Sequence, residues 1–300
     1  MPDDLVQGLL AGLRFETSVF HVGQYCGRWR ASTAGRALAS YHLVLEGRCH
    51  AHIEGRAPLE LGPRDGLFFL RDIPHFLSVD ANPAALAQGG APVPMRPLVP
   101  AAPDGVGLAC GFFHFNSGGA GEPALDGLPD HLIIRAGTPG LAPASTIFDL
   151  ILAESNHPPE RPSPLVARLV DVLFYYVLRH AVQVDPTATG LWALARHGTF
   201  AGLVQAILND PGAGWSVESM ARAAHMSRAS FFKHFVDVGG SSPAEVLLLI
   251  RMRVAAQRIQ SGDAISHAAE QVGYQSLAAF SRAFKRAMGV SPSAYRPRPR

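Results

Sequence analysis

Arg228, Ala229, Phe232 and Lys233 lie within six consecutive residues, and forty-nine positions later Leu277, Ala278, Ser281 and Arg282 take their places, with Lys285 beyond them. Long cations on one face of a short helix can reach guanine edges or phosphates. Alanine, leucine or phenylalanine beside them can touch thymine methyls. The flanking sequence is duplicated too. Val217, Met220, Ala221 and Ala224 place apolar side chains at i, i+3, i+4 and i+7, and Ile265, Ala268, Ala269 and Val272 repeat that spacing. Beyond one inserted residue near Gly273, Ser227, Phe231 and Phe235 map onto Ser276, Phe280 and Phe284. Gly240-x-Ser242-Pro243 maps likewise onto Gly289-x-Ser291-Pro292. Each copy therefore predicts a short helix, a tight turn and a second helix capped by serine and stopped by glycine. A helix over about 244–260, ~25 Å long at 1.5 Å per residue, would join them and separate two reading heads by roughly one DNA turn.

A second group of residues could bind or sense. Cys26 is followed by Arg28 and Arg30, and nearby cations favour a thiolate. Cys110 opens a strand-like run. His42, His75 and His114 lie on or beside strand-like runs, and imidazoles that converge at a barrel mouth suit Zn²⁺, Ni²⁺ or Cu²⁺. His50-x-His52 would point two more imidazoles to one strand face. The plain alternative is that the histidines are hydrogen-bonded core groups and the cysteines small hydrophobes.

The elements that must position these groups fall into α+β order. Tyr41–Leu45, Cys49–Ile53, Leu67–Leu70 and Leu108–Phe115 read as short strands, broken by Gly47, Gly55, Gly62-Pro63 and Asp72 to Pro74. Strands at this spacing predict a small barrel or sandwich over 15–135. Six prolines in 81–106 mark a loop. From Thr146 the period turns helical: Ile147, Leu150 and Ile151 share one helix. Leu165, Leu169, Val172, Leu173 and Tyr176 stripe a second, which runs to about Ala181. Asp185 to Gly190 reads as a hinge. The expected divisions are a sensing domain over 1–136, a helical dimerisation region and linker over 137–198, and a DNA-binding domain over 199–300.

Composition agrees. Of 26 Lys+Arg and 24 Asp+Glu, 12 and 6 fall in 199–300, so that stretch carries +6 and the rest −4, together the chain's +2. Only the basic end is suited to phosphate. The acidic start (Met1, Pro2, Asp3, Asp4) lacks the pattern of a signal peptide, and no apolar run is long enough for a membrane span. Three cysteines imply no disulfide framework, so a cytoplasmic setting is expected.

The basic end resembles the AraC/XylS family of transcription regulators. The matching residues are Trp215-Ser-Val-Glu-Ser-Met-Ala221, Met226-Ser-Arg-Ala-Ser-Phe231, Phe235, Gly240-x-x-Pro243, Arg251, Ala255 and Val272-Gly-Tyr-Gln-Ser276. Phe280-Ser-Arg-Ala-Phe-Lys285, Gly289-x-Ser-Pro292 and Tyr295-Arg296 complete the match. The resemblance implies major-groove readout by Ala229, Phe232 and Lys233 in the first copy and by Leu277, Ala278, Ser281 and Arg282 in the second. The family often has a polar residue where Phe232 stands. Tyr41-His-Leu-Val-Leu-Glu-Gly47, Leu61-Gly-Pro-Arg-Asp65 and Ile73-Pro-His75 look like the cupin barrels fused to one branch of the family. The metal-binding His-x-His pair that usually precedes the Val-Leu-Glu-Gly strand is missing here. Similarity to the reactive-chlorine-responsive branch implies oxidant sensing through Cys26 and Cys110. The resemblance thus implies a homodimeric activator with promoter DNA and RNA polymerase as partners. It needs no cofactor, and a divalent metal in the barrel is the one to consider. The rival from another class is a cupin-type metalloenzyme.

Overall fold

The computed structural model describes residues 2–11, 13, 15–82, 95–99, 105–115, 125–155 and 163–296. Most of the expected proline-rich loop, and the proline run after the first predicted helix, lie outside the described residues. Two compact units are present: Phe15–His114 with Pro129–Ala181, and Met1–Arg14 with Phe115–Leu128 and Val182–Arg300.

The first unit is built on two sheets. One has five strands in the order β1 (Phe15–Cys26), β8 (Gly105–Phe115), β3 (Ala39–Glu46), β6 (Gly66–Phe69) and β9 (His131–Ile134). The other runs β2 (Arg30–Ala31), β7 (His75–Ser78), β4 (Cys49–Ile53) and β5 (Leu59–Leu61). β3 lies at the centre of its sheet, and every residue from Ala39 to Leu45 is buried, as befits a strand covered on both faces. Its antiparallel register sets His42 opposite both Cys110 on β8 and Leu67 on β6. Gly47 turns the chain into β4 at φ 73°, a left-handed conformation that glycine adopts without strain. Tyr25, Trp29, Val44, Leu61, Leu77 and Leu108 belong to the core cluster of this unit. Gly111 is needed for close approach: a Cβ there would fall 2.0 Å from the Ser18 carbonyl oxygen.

Helices α2 (Ala142–Ser155) and most of α3 (Pro164–Val184) belong to this unit. Phe174 of α3 stacks on Phe113 at 4.0 Å and meets Phe15 edge-on at 5.2 Å. The buried row is therefore Val166, Val170, Phe174, Val177 and Leu178. Of the stripe expected from the sequence, Leu173 is buried but Leu165 and Val172 are exposed. The helix is apolar on two neighbouring rows, and the aromatic row wins the core.

The second unit is all helical: α4 (Gly190–Arg196), α5 (Ala201–Asn209), α6 (Val217–Ala223), α7 (Arg228–Gly239), α8 (Pro243–Gln260), α9 (Ile265–Gln271) and α10 (Leu277–Met288). It also takes in α1 (Pro2–Ala11), whose Leu5, Val6, Leu9 and Leu10 are all buried. The buried Arg253 of α8 donates from Nη2 to the Leu9 carbonyl at 3.1 Å. The sequence divisions at 136 and 198 and the contacts thus part the chain differently. α2 and most of α3 go with the sheets, while α1 and α4 go with the terminal helices. No helix among the described residues is long and apolar enough to cross a membrane.

Candidate nucleic-acid interface and barrel interior

Each second helix of the duplication is fixed at both ends and along one face. Ser227 caps α7 by accepting from the Ser230 amide at 3.3 Å, and Ser276 caps α10 by accepting from the Ala279 amide at 3.3 Å. Such caps satisfy amides that the helix leaves without partners. Gly240 and Gly289 end the two helices at φ 67° and 76°. Phe231 and Phe235 are fully packed, with Phe200 of the preceding segment 5.2 Å from Phe235. Phe280 and Phe284 pack with Met252, Ile259 and Tyr295 in the second copy. Between the copies, α8 begins with a capping box in which Ser242 and Glu245 satisfy each other's amides at 2.8 and 3.3 Å. Arg251 ties α8 to the turn before α6 by donating to the carbonyls of Pro211 and Ala213 at 2.8 and 3.0 Å.

With the phenylalanines locked inward, the opposite faces point to solvent. Arg228, Ala229, Phe232, Lys233, Leu277, Ala278, Arg282 and Lys285 are exposed, and Ser281 is half-buried. Val236, one turn beyond Phe232, is half-buried. Arg228 is engaged: its Nε lies 3.0 Å from Glu218 Oε1 on α6. Backbone hydrogen bonding at the helix start, and then Arg228, hold the Glu218 carboxyl below its usual pKa. Lys233, Arg282 and Lys285 make no ion pair among the described residues. Sequence reasoning passed over Arg286, exposed beside Lys285 in the last turn of α10. Its only signal was a cation next to a cation.

Inside the first unit, the histidines and thiols sort differently from expectation. His42 Nδ1 lies 3.0 Å from Cys110 Sγ, and His42 Nε2 lies 3.1 Å from His75 Nε2. Thr33 Oγ1 stands 3.1 and 3.0 Å from the same two Nε2 atoms and donates to Ser40 Oγ at 2.8 Å. His75 Nδ1 donates to the Ile73 carbonyl at 2.8 Å, which leaves its Nε2 as an acceptor. His42 then carries its proton on Nε2, and its Nδ1 accepts from the Cys110 thiol. That arrangement keeps both rings neutral. Burial, and then His75, push the His42 pKa well below the usual value, and burial also lowers that of His75. Burial raises the Cys110 thiol strongly and pushes Cys49 up to about 12.

His114 does not join them. It is exposed and its Nε2 bonds Ser18 Oγ at 2.8 Å. His50 and His52 are engaged separately, His50 with the Val79 carbonyl at 3.2 Å and His52 with Ser78 Oγ and the Asp80 carbonyl at 3.0 Å each. Cys26 is half-exposed and sits beside Gln24 Nε2 at 3.8 Å, whereas its strand neighbour Tyr25 shares the core with Cys110. Successive strand residues face opposite ways, so Cys26 turns away from that core. All three cysteines are free thiols. Among the described residues, no three His, Cys, Asp or Glu side chains are grouped to hold a metal ion.

A two-sheet unit with a helical unit of paired, capped, outward-facing cationic helices defines a DNA-binding regulator. Residues 4–183 match the cupin family and residues 220–298 match a helix-turn-helix domain. A putative AraC-like transcription regulator of Streptomyces antibioticus is 29% identical over 285 residues, 91% of each chain. An HTH-type transcriptional regulator of Haemophilus influenzae is 30% identical over 286 residues, again 91% of each. The RCS-specific HTH-type transcriptional activator RclR of Escherichia coli is 36% identical over 137 residues, 45% of this chain and 48% of that one. The chain belongs to the AraC-type transcription regulators that carry a cupin-type N-terminal domain.

Proposed function

We propose that the chain is a cytoplasmic activator of transcription. It binds promoter DNA as a homodimer, laying α7 and α10 in successive major grooves and contacting RNA polymerase. The observation that carries this reading is the matched pair of capped helices whose phenylalanines are buried and whose Lys233, Arg282 and Lys285 face solvent. Arg282→Ala is expected to weaken specific binding by ~1–3 kcal/mol while leaving binding to unrelated sequence nearly unchanged. Equal losses on both would reduce Arg282 to a phosphate contact. Turnover of a substrate by protein that shifts no DNA would favour the metalloenzyme instead. The dimer seam is the outer row of α3, Leu165 and Val172, which stand 56% and 47% exposed. Val172→Glu should give a folded monomer in sedimentation.

The barrel interior is the sensor. In the thiol reading, an oxidant converts the half-exposed Cys26 thiol to a sulfenic acid. Cys110 displaces water from it to form a disulfide once β1 has rearranged, because Cys26 faces away from the core that holds Cys110. Cys110 is turned inward and bonded to His42, so oxidation would break that bond and disturb β3 and β8. Cys26→Ser should abolish an oxidant response in a reporter assay. An undiminished response in the Cys26→Ser, Cys110→Ser double variant would sink the thiol reading. The metal reading rests on the facing Nε2 atoms of His42 and His75, with Thr33 Oγ1 beside both. Two imidazoles and a neutral hydroxyl fall short of a closed four-ligand zinc site, so a divalent ion would complete its shell with water. Calorimetric titration with Zn²⁺, repeated on His75→Ala, tests it.

A further inference from the structure

The two reading helices share one frame but exchange chemistry at two equivalent positions. Arg228 opens α7 where Leu277 opens α10, and one turn later Phe232 stands where α10 has Ser281. Between and beside these the copies agree: Ala229 answers Ala278, and Lys233 answers Arg282. Each helix therefore exposes one large apolar side chain, Phe232 at 46% and Leu277 at 50%. Neither is needed inside, because Phe231 with Phe235, and Phe280 with Phe284, already fill the core side of their helices. The two apolar groups also sit at different heights, four residues or ~6 Å apart along the helix frame. In the major groove, the apolar group offered by a base edge is the thymine 5-methyl. Arg228, the cation that could have competed for bases at the start of α7, has its charge answered by Glu218.

We propose that each helix reads one thymine through its 5-methyl group, Phe232 in the first copy and Leu277 in the second. The two thymines then stand at different distances from the neighbouring cation contact. Phe232 adjoins Lys233 in sequence, whereas Leu277 precedes Arg282 by a turn and more. The thymine of the first half-site lies next to the Lys233 contact. That of the second lies further from the Arg282 contact, by close to two base-pair rises. The operator is thus asymmetric even though the protein repeat is regular. This inference rests on the assignment of α7 and α10 to the major groove.

The test uses the full chain and duplexes selected from a random-sequence pool. Each thymine of the selected site is then replaced singly by deoxyuridine, which removes the 5-methyl and keeps the base pair. One position in each half-site should lose about four-fold in affinity, the worth of one buried methyl-sized group. Phe232→Ala should flatten the loss in the first half-site and leave that in the second, and Leu277→Ala should do the reverse. Both side chains are exposed, so neither variant removes a core contact. Deoxyuridine sites that bind as tightly as thymine sites, or losses that persist unchanged in the alanine variants, overturn the inference while leaving DNA reading intact. A pool from which no sequence is enriched overturns both.

Discussion

The two units keep their chemistry on opposite sides of their cores. In the helical unit the core is phenylalanine, and the cations stand outside it with the exposed Phe232 and Leu277. In the barrel unit His42 and Cys110 are only 1% and 3% exposed, so the reactive groups are themselves core. The outward arrangement needs a rigid frame and nothing else: the ligand arrives at a finished surface. The inward arrangement needs the protein to open or a small species to penetrate, because a buried neutral imidazole and a protonated thiol are poor reactants as they stand. If the proposed sensing role holds, the regulator joins a unit that responds by deforming to a unit that works by not deforming.

That contrast can be broken most severely by removing α1. Deleting residues 1–13 strips Leu5, Val6, Leu9, Leu10 and Leu13, each at most 5% exposed, from the helical unit. At ~1.5–3 kcal/mol per buried side chain, the loss rivals the whole stability of a domain. Hydrogen exchange should then accelerate through α4 and α5 while the strands stay protected. Full protection of α4 and α5 would show that the frame does not depend on the segment.

A smaller effect sharpens the contrast through pH. The depressed pKa of His42 and His75 means that the folded barrel holds fewer protons than the unfolded chain. Barrel stability is therefore full above the unfolded histidine value near 6.5 and falls as the pH drops below it toward the folded pKa. The slope is up to about 1.4 kcal/mol per pH unit for each histidine. Denaturation followed through the barrel at pH 7.5 and 5 should show this loss, and His42→Gln should reduce the slope. A pH-independent midpoint would mean that the imidazoles are hydrated or exposed.

The smallest effect lies in the helical unit. The start of α6 is held by a capping box between Ser216 and Ser219, but α9 begins at Ala264 with no side-chain cap. Ala264 already has the extended backbone that a cap requires, so Ala264→Ser should stabilise the unit by about 1 kcal/mol with DNA affinity unchanged. A destabilised variant would mean that the exposed Ala264 position resists a hydroxyl.

The outward site was legible in the sequence because one periodicity encodes both halves of it. Once Phe231 and Phe235 mark the inside of α7, the residues a half-turn away must face out. The interior network was not legible, because it is assembled by register. His42 meets Cys110 through the pairing of β3 with β8, and β4 pairs with β7 at Ile53 and His75. His114 shows how such reasoning misleads. It shares the parity of Cys110 on β8, but four residues of extended chain carry it ~13 Å along the strand, to an exposed end. Thr33 was overlooked because a hydroxyl gives no ligand signal on its own. On α3, two adjacent apolar rows were present, and periodicity alone could not say that Phe174 would choose between them. The stripe of α1 is short, and the helices it packs on, α4 and α5, come only after the whole sheet unit in sequence.

That last separation shapes how the protein is made. The ribosome delivers α1 well before α4 and α5, on which it packs, so at ~5–20 residues per second Leu5, Val6, Leu9 and Leu10 wait roughly 10–40 s for those partners. The strands between them can fold meanwhile, leaving an apolar helix dangling from a finished barrel. Chaperone occupancy on nascent chains should concentrate on α1 until α4 and α5 emerge, and a bulky fusion at the amino terminus should slow maturation more than one at the carboxyl terminus.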